Sequence, residues 1–269
     1  MTKAQKTVKC IAMAFAILLA VNIIGGILGG VATLLFGFFD KEEVMEELKT
    51  YEITPSTPIT KLEIEIGAAD LILKEADTYS VKSNLKNLTV AEQNGVLTVK
   101  EKKAFGGNYS GAAVTLYLPT EYFEKIEIKT GAGRFKADSL NARRLDLELG
   151  AGEVYIERIS VVAANVEGGA GNLTVAFGTI GNLDLDMGIG ELHLNAELYG
   201  QNELDLGVGE ANITLRGTQE NYTVDIDKGL GSVTVNGENV SEYHSYGNGK
   251  SRVDIDGGIG SIHLNFKEY

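Results

Sequence analysis

The sequence predicts an all-β fold, a parallel β-helix or β-solenoid built from coils of about 19 residues, behind one N-terminal transmembrane helix. Three observations predict it. Glycines recur at Gly131, Gly150, Gly169, Gly188 and Gly207, a constant interval of 19. Apolar and acidic residues alternate between them, as in "RLDLELGAGEVYIER" from 144 to 158. From about residue 61 onward no amphipathic helical pattern of useful length appears. An antiparallel β-sandwich, with each Gly-x-Gly as a hairpin turn, is the alternative that periodicity alone leaves open.

The elements follow in chain order. Residues 1–9 carry Lys3, Lys6 and Lys9, and residues 10–39 contain no charge. About 20 apolar residues suffice for a helix to cross a bilayer core, so 10–39 is expected to span a membrane. Lysines before it and Asp40, Glu42, Glu43, Glu46 and Glu47 after it place residues 1–9 as a cytoplasmic tail and the remainder outside the cell. This would make a single-pass cell-membrane protein with an extracellular C-terminal domain. Gly25, Gly26, Gly29 and Gly30 form overlapping small-xxx-small pairs, a spacing through which two copies could pack as a homodimer. Residues 40–60, acidic and then interrupted by Pro55 and Pro58, read as a juxtamembrane stalk.

The expected extracellular domain is 61–269, with 61–125 an irregular cap portion and 126–269 the regular repeats. In the cap, LTVAEQNGVLTV at 88–99 is a hairpin signal centred on Asn94-Gly95, and Pro119 ends a strand before the array. In the array, the turn glycines pair as Gly131 and Gly133, Gly150 and Gly152, Gly169 and Gly171, Gly188 and Gly190, Gly207 and Gly209, with looser copies at Gly229 and Gly231 and at Gly258 and Gly260. KLEIEIGAADLIL at 61–73 is a degenerate early copy with Gly67 in the same slot. Five, three and one residues before the first glycine the positions are mostly apolar. Four and two before it they are acidic except at Asn165 and Lys129. One strand face is therefore core and the other wet. So thin a unit buries its apolar face only against its neighbours, which is the logic of a stack.

The stretch LYLPTEYFEKIEIKTGAGRFKADSLNARRLDLELGAGEVYIERI, with its "LP", "KIEI" and successive "GAG" corners, resembles the bacterial DUF4097 family, whose label is that of candidate adhesins. The resemblance covers roughly residues 61 to 269. It implies a β-strand repeat domain of β-helix type, often behind a membrane span, with members associated with envelope stress, and it supplies no catalytic residues.

Chemistry finds little purchase in the sequence. A dinucleotide loop needs Gly-x-Gly-x-x-Gly between a strand and a helix, whereas here a strand follows every corner and the third glycine is missing. His193 and His263 share a column, but stacking in chain order would set them about 14 Å apart. His244 lies in a looser insertion. Cys10 has no partner thiol, since it is the one cysteine. The net charge of −13 argues against nucleic acid and suits basic or cationic partners. The acidic columns suggest a cation ladder of Asp184, Asp186, Glu203, Asp205, Asp225, Asp227, Asp254 and Asp256 that could take Ca²⁺. The same columns also serve as a solvated face that blocks edge association. No cofactor or catalytic residue is expected. The sequence points to a non-enzymatic, membrane-anchored surface protein acting in adhesion or envelope scaffolding through an unknown surface ligand or membrane protein. The alternative is an accessory sensor of envelope stress working with a membrane partner.

Overall fold

The computed structural model describes residues 45–102, 109–240 and 244–268. They form an all-β, solenoid-like stack whose single sheet does not close on itself. The strands are β1 (Met45–Glu52), β2 (Lys61–Ile66), β3 (Asp70–Glu75), β4 (Ser80–Leu85), β5 (Leu88–Gln93), β6 (Val96–Glu101), β7 (Ala113–Leu118), β8 (Phe123–Val175), β9 (Gly178–Gly181), β10 (Leu183–Tyr199), β11 (Gln201–Arg216), β12 (Tyr222–Asp227), β13 (Leu230–Val235), β14 (Glu238–Val240), β15 (His244–Tyr246) and β16 (Ser251–Lys267).

The repeat glycines do not reverse the chain. β10 lies parallel to β11 with Asp184 beside Glu203 and Gly190 beside Gly209. It also lies parallel to β8, with Leu185 beside Val166 and Gly190 beside Gly171. Each residue thus meets the one 19 positions away, and the ladder continues through the corner. That continuity explains how β8 runs unbroken for 53 residues. A third pairing stretch through β8, β9 and β10 sets Ile159 beside Gly178 and Leu198 beside Ile180. The antiparallel-sandwich alternative is therefore wrong for the array. Antiparallel pairing is confined to the ends, where β1, β4 and β7 and the hairpin β5–β6 cover one end and β14 and β15 the other. The expected Asn94-Gly95 turn joins β5 to β6, with φ of 53° and 75°, the left-handed pair that a two-residue hairpin turn requires.

Stacking departs from chain order at both ends. β16 pairs with β11 on one side and with β12 and β13 on the other, so the last coil sits inside the one made by residues 222–235. At the other end β2 and β3 lie between β8 and the pair β6 and β7. One consequence corrects the histidine geometry. His193 neighbours Asn212, which neighbours His263, so the two rings are two rungs apart, about 10 Å at the usual spacing.

The interior is a set of aliphatic columns. Three residues before the corner, Ile64, Ile128, Leu147, Val166, Leu185, Leu204, Ile255 and Ile226 are all buried. Four residues after the first glycine, Leu71, Phe135, Val154, Leu173, Leu192, Ala211, Ile262 and Val233 are buried as well. Gly168 leaves a gap that the Met187 thioether fills. One column contains a polar member, Asn202, 2% exposed. Its side-chain oxygen accepts from the Leu183 N–H at 3.0 Å and its amide donates to the Arg252 carbonyl at 2.8 Å. Asn202 therefore ties the coil on either side of it at the place where β16 enters the stack. At the other end of the ladder the Gly67 N–H donates to the buried Glu101 carboxylate at 2.6 Å. β6 ends at Glu101, so its side chain supplies the acceptor that a preceding corner would otherwise provide.

Two expectations change. The single-pass membrane anchor, and with it the cytoplasmic N-terminus and extracellular C-terminal domain, is corrected: among the described residues no helix is long and apolar enough to cross a membrane. The expected span 10–39, its glycines Gly25, Gly26, Gly29 and Gly30, and the tail 1–9 all lie outside the described residues. The segment 40–60 is not only a spacer. Its residues 45–52 are β1, antiparallel to β4, with Tyr51 opposite Val81, and Ile59 is buried in the core.

Candidate functional site

The corners set the geometry of the outer surface. Each pair of glycines stacks on the pair of the neighbouring coil. A Cβ on Gly150 would overlap the carbonyl oxygen of Gly131, one on Gly169 that of Gly150, one on Gly188 that of Gly169, and one on Gly207 that of Gly188. The same holds for Gly131 over Gly67 and, because of the changed stacking order, for Gly258 over Gly207 and Gly231 over Gly260. The second glycines Gly133, Gly152, Gly171, Gly190, Gly209 and Gly260 also have φ between 122° and 147°, a region that L side chains rarely enter. At the outermost corner the pattern shifts, and Gly229 takes the positive φ, 58°.

Fixed corners hold the acidic columns in register. Asp184 stands beside Glu203, Glu203 beside Asp254, and Asp254 beside Asp225. The second column runs Asp186, Asp205, Asp256 and Asp227. The structure thus brings all eight predicted residues onto one face as two parallel rows, but it treats them differently. Arg252 bridges Asp225 and Asp254, with contacts of 2.8 Å to each. Toward the N-terminal end the columns are also compensated. Lys125 meets Glu127 and Asp146 at 2.8 and 2.9 Å, Lys129 pairs with Glu148 and Glu127, and Lys100 meets Glu63 at 3.1 Å. Burial alone would raise the Asp146 carboxyl, but Lys125 and Arg144 outweigh it and hold it below its usual value.

Between these zones lies a block of four carboxylates, Asp184, Asp186, Glu203 and Asp205, with no ion pair to any described residue. Burial pushes the Asp205 carboxyl up to about 6, aided by repulsion from Asp186, Asp256 and Glu203 and by a hydrogen bond shared with Asp186. The folded state then holds a proton that the unfolded state releases between about pH 4 and 6, so this group's effect is to lower stability as pH rises through that window. Asp205→Asn is accordingly expected to stabilise the protein at pH 7.5 by about 1 kcal/mol, a figure reduced for solvent screening of a part-exposed group. The melting temperature would rise by roughly 2–4 °C, and the gain should vanish near pH 4. Equal melting temperatures at pH 7.5 would contradict the assignment.

Among the described residues no three His, Cys, Asp or Glu side chains converge closely enough to hold a metal ion. His193 lies 3.6 Å from Glu191, and His263 shares a hydrogen bond of 2.8 Å with Thr234. The backbone of His244 belongs to β15. A shallow hollow of about 30 Å³ at the corner of β10, β11 and β16 is lined by Met187, Leu206, Val208, Lys228 and Ile259 among others, room for little more than a water.

A feature of this corner escaped the sequence reading. The residue between the two glycines is exposed in every coil, and it is Ala132, Ala151 and Ala170 in the coils of β8 but Ile189, Val208, Ile259 and Leu230 beyond them. These four are 40–66% exposed and lie side by side on successive rungs. The signal was the middle residue of Gly-x-Gly, which a turn reading passes over.

Solved structures similar to this chain include two described as adhesion proteins and one described as lipid-binding. A candidate adhesin of Bacteroides fragilis is 14% identical, with a TM-score of 0.50 over 82% of this chain and 99% of that one. A candidate cell adhesion protein of Clostridium sporogenes is 18% identical, with a TM-score of 0.39 over 82% and 99% of the two chains. A candidate lipid-binding protein of Parabacteroides distasonis is 15% identical, with a TM-score of 0.41 over 83% and 99%. The first of these likenesses shows a shared fold. No curated protein matches the chain. The profile of the Toastrack DUF4097 family matches residues 59–251, which span the first buried coil to the start of β16, and the chain belongs to that family.

Proposed function

We propose that the domain works by binding, as a non-enzymatic adhesion module that recognises an extended macromolecular surface. One observation carries this reading. The parallel register repeats each outward position from coil to coil at about 4.8 Å, so outward side chains stand in columns suited to a long partner. A small-molecule site would instead use a cavity of roughly 300 Å³ or more, ten times the corner hollow. The carboxylates are also a poor basis for acid-base catalysis. Such work needs an acid and a base that converge on a bound substrate, whereas these carboxylates stand in open rows along a strand face. The adhesin description of the Bacteroides fragilis neighbour agrees with the reading.

The test is mechanical. Beads coated with the full chain should be retained under flow on bacterial cells or on matrix proteins more strongly than beads coated with albumin, and soluble chain should compete the retention away. Retention equal to albumin on every surface, together with turnover on a glycan panel that one carboxylate substitution abolishes, would replace binding with catalysis.

A further inference from the structure

The geometry points to the corner ladder Ile189, Val208, Ile259 and Leu230 as a docking surface for a basic amphipathic helix of a partner polypeptide. This inference rests on the binding reading above and names the surface and the partner class. Two independent features coincide at these coils. The fold does not require large side chains at the middle of the corner, because Ala132, Ala151 and Ala170 occupy the same position on the same backbone. Branched aliphatics 40% or more exposed therefore serve something other than the stack, and contiguous exposed apolar surface of this kind marks interaction sites.

The second feature is charge. Each ladder residue is preceded three positions earlier by Asp186, Asp205, Asp256 or Asp227, and Ile189 and Val208 are followed two positions later by Glu191 and Glu210. In the alanine coils the chain's own Lys125 and Lys129 neutralise the acidic rows. Beside Ile189 and Val208 the carboxylates Asp184, Asp186, Glu203 and Asp205 have no such ion pair among the described residues. Lys228, just before the outermost corner, lines the hollow beside Val208 and Ile259 and is the cation of that end of the ladder among the described residues that border the hollow. An apolar ridge with an acidic row along one side, and with Glu191 and Glu210 on the other side of Ile189 and Val208, calls for a partner with an apolar stripe bordered by lysine or arginine. The rung spacing of about 4.8 Å is close to the 5.4 Å pitch of an α-helix, so one apolar residue per turn can follow the ladder. A second copy of the chain is disfavoured, because it would bring acidic rows against acidic rows at a net charge of −13 each.

The test uses the full chain and three synthetic 18-residue peptides. One carries a leucine stripe bordered by lysines, one is its scramble without the stripe, and one has glutamate in place of lysine. The striped lysine peptide should bind, and binding should weaken at least tenfold in Val208→Ser/Ile259→Ser. Asp186→Asn/Asp205→Asn should weaken it several-fold and flatten its salt dependence, while Ala151→Ser should bind as the wild type does. An unchanged urea midpoint for the ladder variant excludes unfolding as the cause. Equal binding of the scramble would overturn the inference, as would undiminished binding by the ladder variant. So would a wild-type dimer in sedimentation that the ladder variant dissociates, or ladder-dependent binding of phosphatidylcholine vesicles in place of the peptide. Lost peptide binding with intact bead retention in the wild type would remove the ladder assignment alone. Ladder-dependent peptide binding without bead retention would remove adhesion alone.

Discussion

Gly171→Ala is expected to destabilise the domain by about 4 kcal/mol or more, the range reserved for substitutions with a specific structural fault. Two faults add here. Gly171 has φ of 141°, where a Cβ is strained by its own backbone, a cost of order 1–3 kcal/mol. An added Cβ would also overlap the carbonyl, carbonyl carbon and nitrogen of Gly152 far inside van der Waals contact. Backbone on both sides cannot yield as a flexible side chain would, so relief requires two coils to separate and the ladder bonds between them to stretch. Ala170→Ser, one residue away on the exposed side, should change stability by less than about 0.5 kcal/mol. Urea unfolding of the two variants makes the comparison. A Gly171→Ala midpoint near that of the wild type would mean that the coils do not approach as closely as described.

Asn202→Ala should cost about 3 kcal/mol. The side chain is 2% exposed and serves a donor on one neighbouring coil and an acceptor on the other. Its removal leaves the Leu183 N–H and the Arg252 carbonyl short of a partner in a buried column, at about 1–3 kcal/mol per unsatisfied group. Asn202→Leu, which restores the aliphatic character of the column, should recover packing but not hydrogen bonding and remain destabilised by about 2 kcal/mol. A leucine variant more stable than the wild type would show that the amide holds nothing together.

The repeat was legible because every coil spends the same number of residues, so equal intervals between Gly131 and Gly207 report stacking directly. In-register parallel pairing also keeps chemically similar residues together, and this made the acidic and aliphatic columns visible before any coordinates. The order of the last coils was not legible in that way. Residues 222–235 and 251–267 carry the same alternation, and alternation states which face is buried without stating which neighbour buries it. The intervals of 22 from Gly207 to Gly229 and 29 from Gly229 to Gly258 hinted at irregularity. The extra length holds the Asn236-Gly237 hairpin that covers the end of the stack. Asn202 was open to recognition as the polar exception in an aliphatic column, yet only the coordinates reveal that it bridges two coils. The stretch 45–52 read as stalk because its charges conceal an edge strand, and charges on an edge are a common protection against further pairing.

Disulfide trapping tests the stacking most directly. In a Cys10→Ser background, Asn212→Cys/His263→Cys should form an intramolecular disulfide on mild oxidation, since the two positions are ladder neighbours at a spacing of about 4.8 Å that a disulfide can bridge. Asn212→Cys/Thr234→Cys should remain reduced, because His263 lies between them and two rungs exceed the roughly 7 Å limit. The opposite pattern, with residue 212 bridging to 234 and not to 263, would restore stacking in chain order and contradict the inserted final coil.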